Sequence, residues 1–247
     1  MASPSLPKAP SGSWLDMPEV PRGLPFVLFL LVGALAGKAF PGSEYWLYAA
    51  KTIGVGGLLW IWRRRIPEMR WAVSIEAIVV GVAIAVLWLG LDGKIPSLGD
   101  LWDLGRKLAT GKAADAAKAA EVWNPLAFFR DQPVLGHAFV ALRIAGRSLV
   151  VPAMEEVFYR SLFYRAIIAP KFVDIPLGTP NARAWILTSV VFGACHPEHW
   201  LPGILCGAAY QWLVIRRGRL GDAMLAHAVT NLLISAYAIG TGRWEFS

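Results

Sequence analysis

The feature that most constrains this chain is a succession of apolar runs, each close to the length of a bilayer crossing. Residues 24–40, 45–62 and 71–91 form the first three, interrupted by small residues and by Lys38, Lys51 and Glu76. Residues 134–168, 182–195, 201–215 and 220–239 continue the series. At 1.5 Å per residue, about 20 residues cross the hydrocarbon layer as a helix. Lipid offers no partner to an open backbone, so helices are the default and an open sheet is excluded. Of the 247 residues 56% are hydrophobic and only 17% charged, more apolar surface than one soluble core of this size hides. Disorder of the whole chain is excluded by the same numbers. The expected fold is an all-α polytopic membrane helix bundle with about seven or eight transmembrane helices.

The formal net charge of +7 would suit a nucleic-acid binder, but its placement does not. Arg63, Arg64 and Arg65 follow the second run, and Arg216, Arg217 and Arg219 close the sixth. Basic residues at the ends of apolar runs mark cytoplasmic loops. The expected partner is the lipid bilayer, and no nucleic acid. If residues 134–168 cross once, Arg165 and Lys171 fall on the same side as those arginines. If they form two helices meeting near Val151 and Pro152, where proline disfavours helix in the preceding residue, that agreement is lost. The two cysteines, Cys195 and Cys206, lie in apolar segments and make no disulfide framework.

Four stretches follow from this pattern. Residues 1–22, rich in proline and serine and without signal-peptide character, read as a disordered tail. Residues 23–91 hold three transmembrane helices. Residues 92–132, with acidic and basic residues in balance, read as a polar inter-helix loop, although residues 113–120 favour helix locally. Residues 133–247 form a second bundle, in which ionisable groups are concentrated. Each costs ~2.5–3.5 kcal/mol inside a membrane helix, so by default such groups face the interior and pair or work there.

They fall in three clusters. In the first, Glu155 and Glu156 are adjacent and point about 100° apart on a helix. Glu156 can pair with Arg160 at i,i+4, which leaves Glu155 without a local cation and a candidate general base. A structural ion pair beside a satisfied carboxylate explains the same residues. In the second, His196 ends an apolar helix before Pro197, where a neutral imidazole can hold a water or be satisfied by a carbonyl. Glu198 and His199 nearby invite a zinc site, but Pro197 breaks the helical spacing that paired ligands need. In the third, His227 and Asn231 lie one turn apart on one face. They suit an oxyanion hole or an interhelical polar clamp. A base, a water-holding imidazole and two donors on successive helices are the parts needed to hydrolyse an amide with activated water.

The ordered set Glu155-Glu156-x-x-x-Arg160, Phe192-x-x-x-His196 and His227-x-x-x-Asn231 resembles the CAAX protease and bacteriocin-processing family, which includes the Rce1-type prenyl endopeptidases. The wording around these residues, with Thr241-Gly-Arg-Trp244, is similar to the bacterial branch found with exosortase and PEP-CTERM systems. The resemblance implies an intramembrane glutamate endopeptidase of a bacterial inner membrane, acting on a membrane-anchored peptide or protein. It implies Glu155 as the base, His196 holding the same water, His227 and Asn231 as the oxyanion hole, and Glu156 and Arg160 as support. It requires no cofactor: a divalent metal is often assumed for the family, but the glutamate mechanism needs none. Exosortase or PEP-CTERM components are the partners it suggests. The competing readings are a non-catalytic assembly or bacteriocin-immunity protein on the same fold, and a transporter relaying protons through Glu and His.

Overall fold

The computed structural model describes residues 13–35, 40–111 and 122–246. Among them the regular structure is helical, without a strand. The helices are α1 (Glu19–Ala34), α2 (Ser43–Trp62), α3 (Ile75–Leu91), α4 (Leu98–Thr110), the single turn α5 (Pro125–Phe128), α6 (Pro133–Ile168), α7 (Ala182–Ala194), α8 (Trp200–Arg217) and α9 (Gly221–Thr241). Against the seven or eight spans expected, two helices among the described residues, α6 and α9, are long and apolar enough to cross a membrane. The helices α3 and α7 are apolar but shorter.

Their packing follows from which faces carry bulk. In α3 the small residues Ala77, Gly81 and Ala85 are buried, while Val79 and Val86 are 60% and 67% exposed. Ile53, Trp60, Ile61 and Ile186 are exposed to a similar degree. An apolar outer surface of this extent belongs in a lipid environment, because water would penalise it. Inside, Val157, Tyr159, Phe192, Tyr210, Leu213, Met224 and Ala226 make one core. The pair α7 and α8 forms a tight antiparallel hairpin, and α9 lies against α3. The hairpin depends on Gly193: a Cβ there would stand 2.5 Å from the Trp200 carbonyl oxygen.

Two expectations are corrected and one open alternative is decided. The tail assigned to residues 1–22 ends too late: α1 begins at Glu19, and Arg22 is buried in an ion network. Residues 1–12 lie outside the described part, as do Lys38 and the whole stretch 113–120. The loop 92–132 contains a built helix, α4, opened by a Ser97–Asp100 capping box. Finally, residues 133–168 do not break at Pro152. The run is one continuous helix, α6, because a wide π turn at Gly146–Val150 absorbs the proline.

The end of α6 settles the alternatives left open by charge. Arg165, near its C-terminus, lies 3.0 Å from Glu68 in the loop after α2. Arg22 Nε donates to the same carboxylate at 2.9 Å, and Ser161 hydroxyl bonds to it. Arg216 pairs with Glu76 at the start of α3, and Arg219 with Asp222 at the start of α9. The arginine-rich segments therefore gather at one end of the bundle, as a single crossing by α6 requires.

Glu68 links that end to stability. Burial works to raise its pKa, but the hydrogen bonds from Arg22 and Ser161 outweigh it and hold the carboxyl below its ordinary value of 4.5. A depressed carboxylate contributes stability that is complete above the unfolded value and is lost as pH falls through the folded one. Thermal unfolding in detergent is therefore expected to show a midpoint that declines as pH drops below about 4.5. Glu68→Gln should start lower at neutral pH and decline less. An unchanged acid slope in the variant would show that Glu68 is not the group responsible.

Candidate active site

The turn that carries the two glutamates is set between two wide turns. Gly146–Val150 and Val157–Phe163 both have π geometry, and the six residues Val151–Glu156 between them are α-helical. Such insertions recur at functional positions because they re-aim side chains within an otherwise regular helix. Here the first also frees a carbonyl. The amide of Val151 reaches back to Gly146 O. The next amide in that register would serve Arg147 O, but residue 152 is proline and has none. Asn231 Nδ2 on α9 donates to that carbonyl instead, at 2.8 Å. Pro152 thus explains how Asn231 is held, and one hydrogen of its amide remains for other use.

Glu156 and Glu155 part company at this turn. Glu156 is fully buried between Arg160 Nε at 3.0 Å and His227 Nδ1 at 3.0 Å. A carboxylate only accepts, so His227 Nδ1 carries the hydrogen. Its other nitrogen, Nε2, is left 4.0 Å from Glu155 Oε2. Tyr210 stacks on the His227 ring at 5.2 Å, and Tyr210 hydroxyl donates to Thr230 Oγ1 at 2.7 Å. The ring of His227 is therefore fixed on both a face and an edge.

His196 follows the C-terminus of α7. Its Nδ1 lies 2.8 Å from Phe192 O, one of the carbonyls that a helix end leaves open. The carbonyl accepts, so Nδ1 is protonated and Nε2 keeps a lone pair able to take a hydrogen from water. Phe192 stacks on the imidazole at 4.9 Å, and Trp88 meets it edge-on at 5.6 Å. His199, for which the sequence offers no role, is a tie between helices. Its Nε2 lies 3.0 Å from Asp92 at the end of α3, and its ring stacks on Trp88 at 5.3 Å.

Glu155, His196, His227 and Asn231 all line one cavity of about 500 Å³. Glu156 and Arg160 stand behind it, the first through His227 and the second through Glu156. The cavity also contains residues that sequence reasoning did not assign to the site: Lys51 from α2, Trp88 from α3, and Arg143 and Arg147 from α6. Lys51 and the two arginines were visible as ionisable groups in apolar runs, but nothing in the spacing said that they would meet the glutamate. Among the described residues no three or more His, Cys, Asp or Glu side chains are arranged to hold a metal ion.

A helical bundle that is apolar outside and gathers carboxylate, imidazole and amide groups around an internal cavity is a membrane-embedded protein with a hydrolase-like polar centre. Residues 137–233 match the family described as Type II CAAX prenyl endopeptidase Rce1-like. This segment starts in α6, ends in α9 and contains all six candidate residues, so this part of the chain is similar to the Rce1-like family of CAAX-type endopeptidases. No curated protein and no solved structure matches the chain.

Proposed function

We propose that this protein is an intramembrane endopeptidase that cleaves a membrane-anchored peptide or protein with a water activated by Glu155. The observation that carries the reading is that Glu155, His196, His227 and Asn231 line one cavity while Glu156 and Arg160 hold the imidazole from behind. Glu155 takes a proton from the water as it attacks the scissile carbonyl. His196 Nε2 accepts the water's other hydrogen and orients it. The proton on Glu155 can pass to His227 Nε2, its nearest imidazole nitrogen. With Nδ1 donating to Glu156, His227 then presents an Nε2–H to the developing oxyanion, beside the second amide hydrogen of Asn231. The proton finally leaves on the amine of the departing peptide, so no net proton is gained by the enzyme.

No step in this sequence passes through a metal. The bacterial inner membrane as location, and exosortase or PEP-CTERM components as partners, are supported by the wording of the sequence motifs alone. The test is cleavage by the full chain reconstituted in nanodiscs with a membrane peptide fraction, read as new termini by mass spectrometry. Defined new termini are expected, and treatment with a chelator is expected to leave their yield unchanged. Loss of cleavage on chelation, restored by a divalent ion, would overturn water activation by Glu155 alone.

A further inference from the structure

Helix α4 has one apolar side that its own length does not bury. At about 100° per residue, Leu98, Leu101, Trp102, Leu104 and Leu108 fall within an arc of about 160°, with Gly105 and Ala109 between them. Asp100, Asp103, Arg106 and Lys107 take the rest of the circumference, two of each sign. No residue of α4 is buried, and Trp102 and Leu108 are 75% and 79% exposed. The helix is nonetheless well built. The Ser97–Asp100 box opens it, Asp103 lies 3.6 Å from Arg106, and Gly111 closes it in the left-handed conformation. A helix of 13 residues is marginal in water by itself, so its stability comes from whatever its apolar face meets.

The place of α4 in the bundle identifies that surface. The arginine-rich segments sit where α3 and α9 begin. Helix α4 follows the opposite end of α3. There Asp92 lies 2.9 Å from Arg243, just beyond α9, and 3.0 Å from His199. Charged groups at the ends of two apolar helices mark the level where hydrocarbon gives way to water. Helix α4 begins at Leu98, a short turn further on, and is fastened at that level. Trp200 Nε1 donates to the Pro96 carbonyl at 3.0 Å, and α4 packs against the Pro197–His199 turn. Along the chain, the lipid-facing surface of α3 at Val79, Val82 and Val86 leads directly to it. A short amphipathic helix pinned at this level lies in the interface, its leucines and tryptophan among the upper acyl chains and its charges in water.

We propose that α4 is an interfacial membrane helix, seated by Leu98, Leu101, Trp102, Leu104 and Leu108 in the boundary between headgroups and acyl chains. The inference rests on the bundle lying in lipid and not on the protease reading. The two acidic and two basic residues of α4 balance, so the contact is with the apolar part of the lipid and a neutral bilayer suffices. The contact reaches the candidate site through Pro96 and Trp200. Trp200 stands four residues after His196, so the depth of α4 sets the depth of the turn that follows His196.

The test measures depth and does not depend on cleavage. Full-length protein carrying Cys195→Ser receives Trp102→Cys, Leu108→Cys or Lys107→Cys in turn. Each new thiol is labelled with a bimane fluorophore, and the protein is placed in nanodiscs of phosphatidylcholine brominated on the upper part of its acyl chains. Labels at 102 and 108 are expected to lose about half their fluorescence or more relative to unbrominated lipid, and the label at 107 little. Should Cys195→Ser fail to fold, the otherwise natural chain carries a diazirine residue at the same positions, and lipid adducts are read by mass spectrometry. Absence of quenching at 102 and 108 overturns the proposal. Blue-shifted emission there without quenching assigns the face to a protein cover, either another segment or a second copy, and overturns it as well. Equal quenching at all three positions shows that the apolar face is not the one turned to lipid. Quenching only after phosphatidylglycerol is added assigns the contact to headgroup charge, and also overturns it.

Discussion

Glu155→Gln is expected to reduce cleavage by about 10²–10⁴-fold in kcat, the usual worth of a general base, while the protein stays folded. The substitution keeps the volume and shape of the side chain and removes only its ability to take a proton. Glu155 is not part of the framework. Its side chain is 13% exposed to the cavity, and its ion contact is His227 Nε2 at 4.0 Å. Losing so long a contact should cost about 1 kcal/mol or less. The measurement pairs kcat on a cleaved membrane peptide with the thermal midpoint in the same detergent. Undiminished cleavage by Glu155→Gln would remove Glu155 from the chemistry and favour a structural role for the whole cluster, as in an assembly or immunity protein.

The neighbouring residue is expected to behave in the opposite way. Glu156→Gln should destabilise the fold by about 3 kcal/mol or more, because breaking a buried pair strands the remaining charge. Arg160 has a fully buried side chain, with Glu156 at 3.0 Å and the Gly207 carbonyl at 3.3 Å as its polar neighbours. His227 Nδ1 would lose its charged acceptor at the same time. The readout is the thermal midpoint, followed by activity at a temperature where the variant remains folded. A wild-type midpoint would show that the Arg160–Glu156–His227 chain does not hold α6 against α9. Two adjacent glutamates, one affecting rate and the other stability, would separate the catalytic from the positioning role directly.

Some of this was legible beforehand. The pairing of Glu156 with Arg160 follows from helical spacing, because residues four apart share a face. The common face of His227 and Asn231 follows for the same reason. The break at Pro152, one of two readings that the sequence left open, did not occur. A proline breaks an α-helix by removing one amide and crowding one carbonyl, but a π turn moves the register, and Asn231 satisfies the carbonyl left over. No periodicity in α6 announces that turn. The start of α1 at Glu19 was also hidden, since the reason for it is the distant Glu68, 46 residues from Arg22.

The sequence by itself determined the helical class, the apolar character of the outer surface, and the identity and order of the polar groups on α6, α7 and α9. Hydropathy and spacing act within one segment, so they are complete in one dimension. The tertiary structure alone decided that Glu155, His196, His227 and Asn231 share one cavity, that His199 ties α3 to the α7–α8 turn, and that Lys51, Arg143 and Arg147 line the same cavity. Those outcomes depend on the rotation and depth at which helices distant in sequence meet. That relation is set by side-chain packing between segments, through contacts such as the close approach at Gly193, and no local pattern encodes it.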